Sequence, residues 1–107
     1  MSLPPPLREL PESQAAGPGV EVASERLRAA GVEPMTWSNG PGDRYAAHEH
    51  TYTKLIVCAI GSITFLVGED ATPVELVAGG GFGLPPGTRH AAVVGPVGCT
   101  CVEGHRR

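Results

Sequence analysis

Glycine and proline divide the chain beyond Gly31 into short segments rich in β-branched and aromatic residues. Turn-forming runs such as 39–42, 79–81 and 95–96 separate these segments and supply the backbone freedom that tight connections need. This rhythm is typical of an antiparallel sandwich or barrel and disfavours alternating helices and strands. The predicted strands are 32–38, 44–50, 52–60, 62–68, 73–77, 81–84, 89–95 and 98–104. We expect a tight hairpin at 60–62, between the third and fourth of them.

The first thirty residues have a different character. Residues 1–19 contain Pro4-Pro5-Pro6 and further prolines and glycines, so we expect an extended arm that contacts the barrel or a partner subunit through Leu3, Leu7 and Leu10. From 20 to 30 the apolar residues recur at helical spacing, and Gly31 follows as a stop signal. One short helix is therefore predicted, and residues 20–107 are predicted to form a single domain.

Composition excludes several classes of protein. A net charge of −3 over 107 residues provides no basic surface for nucleic acid. No apolar run approaches the roughly 20 residues of a membrane helix, and the N-terminus does not resemble a signal peptide, so we expect a cytoplasmic protein without membrane contact. Three cysteines fit a reducing compartment, and Cys58, Cys99 and Cys101 are expected to be small buried side chains. The alternative is a thiolate site of Cys99, Cys101 and His105, which would lack a fourth ligand.

Three histidines carry the strongest indication of chemistry. His48 and His50 are one residue apart, so on a strand both imidazoles leave the same face, about 7 Å apart. His90 follows the turn-forming residues 84–89, which can return a third imidazole to the same place. Imidazole is the commonest protein ligand for transition metals. The sequence therefore predicts a divalent metal site (Fe, Mn, Ni, Cu or Zn) made by His48, His50 and His90.

Two segments resemble the paired motifs of the cupin superfamily. The first has Gly42, five residues, His48-Glu49-His50, three residues, Lys54, six residues and Gly61. The second has Gly79, five residues, Pro85-Pro86-Gly87, two residues and His90. The resemblance implies an all-β fold, a small single-domain cupin with a conical barrel of jelly-roll type, and a ligand site in its mouth. It also places His48, His50 and His90 at the family's metal-ligand positions.

The resemblance fails at two positions. Lys54 stands where many cupins have a metal-binding glutamate, and Val94 stands where the second motif often ends in asparagine. Strand parity points Lys54 into the barrel, where its charge and a divalent metal about 6 Å away would repel by roughly 5 kcal/mol. Three arrangements relieve this repulsion. In the first, Glu103 pairs with Lys54 or approaches the metal. In the second an anionic ligand lies between the metal and the lysine, and in the third the metal is absent.

Strand parity also sorts the other candidate residues. Tyr52 shares the face of the histidines, so it either donates its hydroxyl to a ligand or packs at the rim. Tyr45 has the opposite parity unless a bulge intervenes, and we expect it to pack. Glu49 and Arg89 are expected to point away from the site. Apolar side chains expected in the core are Ile56, Leu66, Phe65, Phe82 and Trp37.

These residues favour two classes of function. The first is a metal-dependent enzyme of dioxygenase, isomerase or decarboxylase type, acting on a small anionic oxygenated molecule bound near Lys54, Tyr52 and Glu103. The second is a non-catalytic module that binds or senses a small molecule, with a weakened or absent metal site. Whether the protein is an enzyme is left open at this point. Small cupins tend to pair through sheet edges, so we expect a homodimer.

Overall fold

A computed structural model describes residues 3–11 and 13–107 as one helix and six strands. The helix confirms the prediction closely, since it begins at Val20 and ends one residue before the predicted boundary. The elements in chain order are α1 (Val20–Ala29), β1 (Met35–Asn39), β2 (Arg44–His48), β3 (Thr53–Val67), β4 (Thr72–Val77), β5 (Gly81–Leu84) and β6 (His90–Arg106).

Two long antiparallel strands, β3 and β6, form the centre of the fold. They pair from Thr53 with Arg106 to Val67 with His90, and the register shifts near Gly61. The C-terminal part of β3 and the N-terminal part of β6 pair with β4 and β2, respectively, and together form the first layer. The N-terminal part of β3 and the C-terminal part of β6 pair with β5 and β1, respectively, and form the second layer.

The predicted hairpin at 60–62 is wrong, because β3 continues through these residues. Gly61 has φ 76° and faces Gly98, which has φ 83°, so both adopt a backbone conformation that other residues rarely tolerate. A Cβ atom on Gly61 would lie 2.0 Å from the carbonyl oxygen of Gly98. These glycines bend the paired strands instead of reversing the chain. The predicted strands 52–60 and 62–68 are therefore one strand, and so are 89–95 and 98–104.

The main core lies between the two layers. Phe65 of the first layer and Phe82 of the second meet edge to face, with ring centroids 5.2 Å apart. Ile56, also predicted to be in the core, is fully buried in the same cluster, whereas Leu66 is only partly buried. This arrangement is the all-β sandwich that the glycine and proline pattern predicts.

A second core lies on the outer face of the second layer. Ala23 and Leu27 of α1 are buried there against Val57 and Val102. Arg26 Nη1 donates to the carbonyl oxygen of Gly79 at 2.7 Å, which fixes the helix against the barrel. Ala23 and Leu27 are four residues apart and therefore lie on the same side of the helix, which packs on one face of the sheet as helical periodicity predicts.

The N-terminal arm contacts the barrel of its own chain. Leu7 is buried in the main core, while Leu3 and Leu10 pack against the two cores. Arg8 exchanges two backbone hydrogen bonds with Gly83 of β5, at 3.0 and 2.7 Å. The arm therefore covers an edge of the second layer that would otherwise present unpaired backbone groups. Among the described residues, no helix is long and apolar enough to cross a membrane.

Candidate metal centre and ligand pocket

The structure brings His48, His50 and His90 together. His48 is the last residue of β2 and pairs directly with His90, the first residue of β6, while His50 lies two residues beyond β2. Their possible ligand atoms all lie within 4.8 Å of one another. The strand pairing thus supplies two imidazoles and the following loop supplies the third. The three rings converge as the sequence predicts, although the predicted strand 44–50 ends at His48 and His50 lies in the loop beyond it.

Backbone hydrogen bonds set the tautomers of two of these rings. Nδ1 of His48 donates to the carbonyl oxygen of Ala46 at 2.7 Å, and Nδ1 of His90 donates to that of Thr88 at 2.8 Å. A carbonyl oxygen can only accept, so each neutral ring carries its proton on Nδ1 and keeps a lone pair on Nε2. Such bonds commonly orient histidine ligands of metals.

The histidine nitrogens fit a metal ion. Nε2 of His50 and Nε2 of His90 are both shielded from solvent and have no hydrogen-bond partner among the described residues. Burying such a polar atom without a partner is unfavourable, and a bound cation would accept its lone pair. Three neutral imidazoles suit zinc, copper, iron or nickel better than calcium or magnesium, which prefer oxygen ligands.

Burial favours the neutral form of two of the imidazoles, those of His50 and His90. It lowers the pKa of His90 to about 4, against an opposing contribution from the Thr88 carbonyl, and the charges of His48 and Lys54 lower it further. The pKa of His50 is also lowered, by burial first and then by Lys54 and His48. At neutral pH both rings therefore have a lone pair available for a metal without prior loss of a proton.

Lys54 and Glu103 form an ion pair beside the histidines. Lys54 Nζ lies 3.3 Å from Glu103 Oε1, and each side chain is only 12% exposed. Glu103 also accepts hydrogen bonds of 2.6 Å from Nε1 of Trp37 and from Nε2 of His105. Pairing with Glu103, one of the three arrangements expected to relieve the lysine charge, is thus present.

The partners of Glu103 keep its carboxylate ionised. Burial by itself raises the pKa of the Glu103 carboxyl, but the charge of Lys54 and hydrogen bonds from His105 and Trp37 outweigh it, so the pKa lies below its ordinary value. The carboxylate in turn balances the ammonium of Lys54. The two side chains together contribute no net charge to the site.

Tyr52 lies at the rim. Its ring stacks between those of His50 and His105, with centroid distances of 4.7 and 4.1 Å. The sequence left two roles open for Tyr52, packing at the rim and contact with a ligand. The stacking corresponds to packing at the rim. A contact between the Tyr52 hydroxyl and a ligand stays a prediction.

A cavity of about 280 Å³ opens beside the histidines. Its polar wall consists of His48, His90, Lys54 and Glu103, and the rest is apolar or aromatic. The apolar wall is formed by Trp37, Tyr45, Ile63, Phe65 and Ala92. Its position between the two layers agrees with the mouth of the barrel as the predicted place for a ligand.

Sequence reasoning missed the position of Tyr45 in this cavity. Tyr45 faces it because the β2–β6 register shifts between Tyr45 and His48, which changes the strand parity. The Tyr45 hydroxyl donates to Oδ1 of Asn39. Trp37, expected in the core, is partly buried against it and also lines the cavity, and its ring centroid lies 5.8 Å from that of Tyr45. Strand parity alone carries no signal for such a bulge.

Other sequence predictions for this region are confirmed. Glu49 and Arg89 are exposed. The cysteines Cys58, Cys99 and Cys101 are free and buried. Cys58 lies directly opposite Cys101 across β3 and β6, and both belong to the main core. The alternative thiolate site is not formed, since His105 bonds to Glu103.

This chain is similar to known proteins in structure. No family model and no curated protein matches the sequence. An RmlC-like cupin from Shewanella frigidimarina superposes with a TM-score of 0.61 and 23% identity, over 69% of this chain and 64% of that one. A protein with a double-stranded β-helix domain from Klebsiella pneumoniae gives 0.60 and 24%, over 67% and 60%. In both, the match spans less than two thirds of the known structure.

Enzymes share this fold as well. A DMSP lyase from Ruegeria pomeroyi gives a TM-score of 0.63 and 22% identity, over 69% of this chain and 37% of the lyase. A polyketide cyclase from Streptomyces resistomycificus and an oxalate decarboxylase from Bacillus subtilis give TM-scores of 0.62 and 0.61, at 20% and 16% identity. At such identities the likeness establishes the fold alone.

Proposed function

The chain has the fold of a small cupin, and we propose that it binds a divalent transition metal through His48, His50 and His90 to act on a small anionic oxygenated molecule. One observation carries this proposal. Two solvent-shielded Nε2 atoms, of His50 and His90, lack partners and converge with His48 within 4.8 Å. A bound metal supplies a Lewis acid for a ligand oxygen.

The protein's own residues then position and balance the ligand. Lys54 has three N–H donors and lines the cavity. Glu103 occupies one of its directions, which leaves donors for a carboxylate or enolate oxygen. Repulsion between the charge of Lys54 and a divalent metal would weaken metal binding. Because Glu103 balances the charge of Lys54, the ion pair supports metal binding beside the lysine.

The proposed function includes catalysis at the metal. Proteins of this fold include a lyase, a cyclase and a decarboxylase, and each of those activities belongs to that protein. The open coordination positions of a three-histidine metal fit dioxygenation, isomerisation or decarboxylation of an oxygenated acid. The Lys54 ammonium, held beside the cavity, would stabilise negative charge that develops on such a ligand.

A second candidate function is non-catalytic binding or sensing of the same class of molecule. It is favoured by the contacts of Glu103, which accepts from Lys54, Trp37 and His105. With its oxygens occupied in this way, the carboxylate is poorly placed to remove a proton from a ligand. Among the described residues that line the cavity, Glu103 is the only carboxylate.

Metal analysis of protein purified without a histidine tag tests the proposal. We expect about one equivalent of a transition metal, or stoichiometric uptake on titration with Co²⁺ or Zn²⁺. His48→Ala and His90→Ala should abolish uptake. His105→Gln is the matched control, because it changes the histidine outside the cluster, and it should retain the wild-type stoichiometry. Uptake below about a tenth of an equivalent in the wild type would overturn the proposal.

Turnover separates the two candidate functions. Metal-loaded protein would be incubated with small oxygenated acids while oxygen consumption, carbon dioxide release and products are measured. Metal-dependent turnover that is lost in His90→Ala supports the enzyme. Saturable binding without turnover across such a panel supports the binding module.

A further inference from the structure

We propose that the cavity selects monoanions with an apolar body, such as aromatic or branched monocarboxylates, and discriminates against dianions whose second charge would lie at the apolar wall. This inference rests on the proposed function, because the anionic end of the ligand is assigned to the metal and Lys54. It adds a second subsite, formed by Tyr45, Phe65 and Ala92, which would hold the apolar body.

The register of the first layer places the two subsites side by side. His48 pairs with His90, and the neighbouring inward-facing row contains Tyr45, Ala92 and Phe65, since Ala92 is the partner of both aromatic residues. Ala92 follows His90 by two residues, so the rows lie about 7 Å apart along the strand. A ligand whose oxygen lies at the histidines therefore extends over Ala92.

Ala92 leaves space in a row of larger side chains. It is 3% exposed and lies between Tyr45 and Phe65, which wall the space on two sides. Trp37 of the second layer also lines this cavity and packs edge to face on Tyr45. Flat apolar groups fit such aromatic walls well, because stacked and edge contacts stabilise them beyond the burial of area.

The apolar end of the cavity does not suit a second anionic group. Lys54 and Glu103 are the only charged side chains among the described residues that line the cavity, and they neutralise each other. A second carboxylate that reached the apolar wall would lose its hydration without a cationic partner there. The volume of about 280 Å³ lies just below the ~300–1,000 Å³ typical of sites for drug-sized ligands, so the ligand is small.

Three probe ligands test the inference on metal-loaded wild-type protein by calorimetry. Benzoate has one carboxylate and a flat apolar body, acetate lacks the body, and terephthalate adds a second carboxylate at the far end. We expect benzoate to bind at least about tenfold more tightly than either of the others. Equal or weaker binding of benzoate would overturn the inference, and this series requires no variant to fold.

Ala92→Ile then places the subsite. The added side chain fills the space between Tyr45 and Phe65, so benzoate affinity should fall at least about tenfold while acetate affinity and metal stoichiometry stay at wild-type values. Ala91→Ile is the matched control, because Ala91 is adjacent on β6 and points to the other face. It should leave benzoate binding unchanged. Wild-type benzoate affinity in Ala92→Ile would overturn the placement.

The metal measurement distinguishes the two possible failures. If the wild type binds metal stoichiometrically but shows no preference for benzoate, the inference is wrong and the proposed metal site stands. If the wild type takes up no metal, the proposed function is wrong and the inference falls with it.

Discussion

Lys54 Nζ and Glu103 Oε1 lie 3.3 Å apart beside the histidine cluster, each on one of the two long central strands. The resemblance to cupins leads one to expect a metal-binding glutamate at position 54. This chain has a cation at that position and a carboxylate across the strand pair. The exchange turns a potential fourth ligand into an internally balanced ion pair, and it has consequences for both metal binding and stability.

Restoring a carboxylate at position 54 should strengthen metal binding. In Lys54→Glu a cation near the metal becomes an anion with lone pairs, so we expect the Kd for Zn²⁺ to fall at least about tenfold. The metal-free variant should be less stable than the wild type, because two carboxylates then lie close together. Competition titration with a chromophoric chelator measures the first effect, and thermal unfolding measures the second.

Lys54→Met separates the loss of the cation from the gain of a ligand. It removes the charge without adding a lone-pair donor, so its effect on metal affinity should be smaller than that of Lys54→Glu. Unchanged affinity in Lys54→Glu would mean that the side chain at position 54 does not reach the metal.

Breaking the ion pair from the other side should reduce stability. Glu103→Gln leaves the Lys54 charge, which is 12% exposed, without its counter-ion, and we expect a loss of about 2–3 kcal/mol in the free energy of unfolding. Urea denaturation measures this. The double variant Lys54→Met, Glu103→Gln should regain part of the loss. Glu75→Gln, on an exposed position of β4, is the control and should stay within about 0.5 kcal/mol of the wild type.

Acid should destabilise the metal-free protein through His90. The pKa of His90 is about 4 in the folded protein and near 6.5 without its environment, so the unfolded chain binds more protons between these values. Stability therefore rises with pH across this window, and the contribution is lost as the pH falls from about 6.5 towards 4, on the order of 3 kcal/mol in all.

Urea unfolding of EDTA-treated protein at about pH 7 and about pH 4.5 checks this expectation. His90→Gln should lose less stability on acidification than the wild type, because Gln does not titrate. The same loss in both proteins would contradict a lowered His90 pKa.

The histidine site could be predicted because His48 and His50 are close in sequence and because the resemblance to the cupin motifs brings in His90 from a distant segment. His48 and His50 are two residues apart, and the turn before His90 returns the chain to β2, where His90 pairs with His48. The helix could be predicted from the spacing of Ala23 and Leu27. The homodimer, the cytoplasmic location and the division at residue 19 stay predictions.

The place of Tyr45 in the cavity wall could not be predicted, because it depends on a bulge. The register shift after Tyr45 reverses which face its side chain occupies, and no residue type in 45–48 indicates that shift. The long strands were missed for a related reason. A glycine with positive φ serves a tight turn or a bulge equally well, and only the pairing of Gly61 with the region of Gly98 decides between them.

The bend at Gly61 should be the position least tolerant of a methyl group. In Gly61→Ala the new Cβ would lie 2.0 Å from the Gly98 carbonyl oxygen, and the residue would also have to adopt φ 76°. Gly31→Ala is the matched control, since φ there is 84° and no atom lies within 4 Å of the added Cβ. We expect about 1 kcal/mol of destabilisation at Gly31 from backbone strain alone, and at least about 3 kcal/mol or loss of folding at Gly61. Circular dichroism and urea unfolding compare the two variants.

An equal loss in the free energy of unfolding for Gly61→Ala and Gly31→Ala would mean that β3 does not pass close to β6 at this bend. The division of the central strands into two layers would then be wrong.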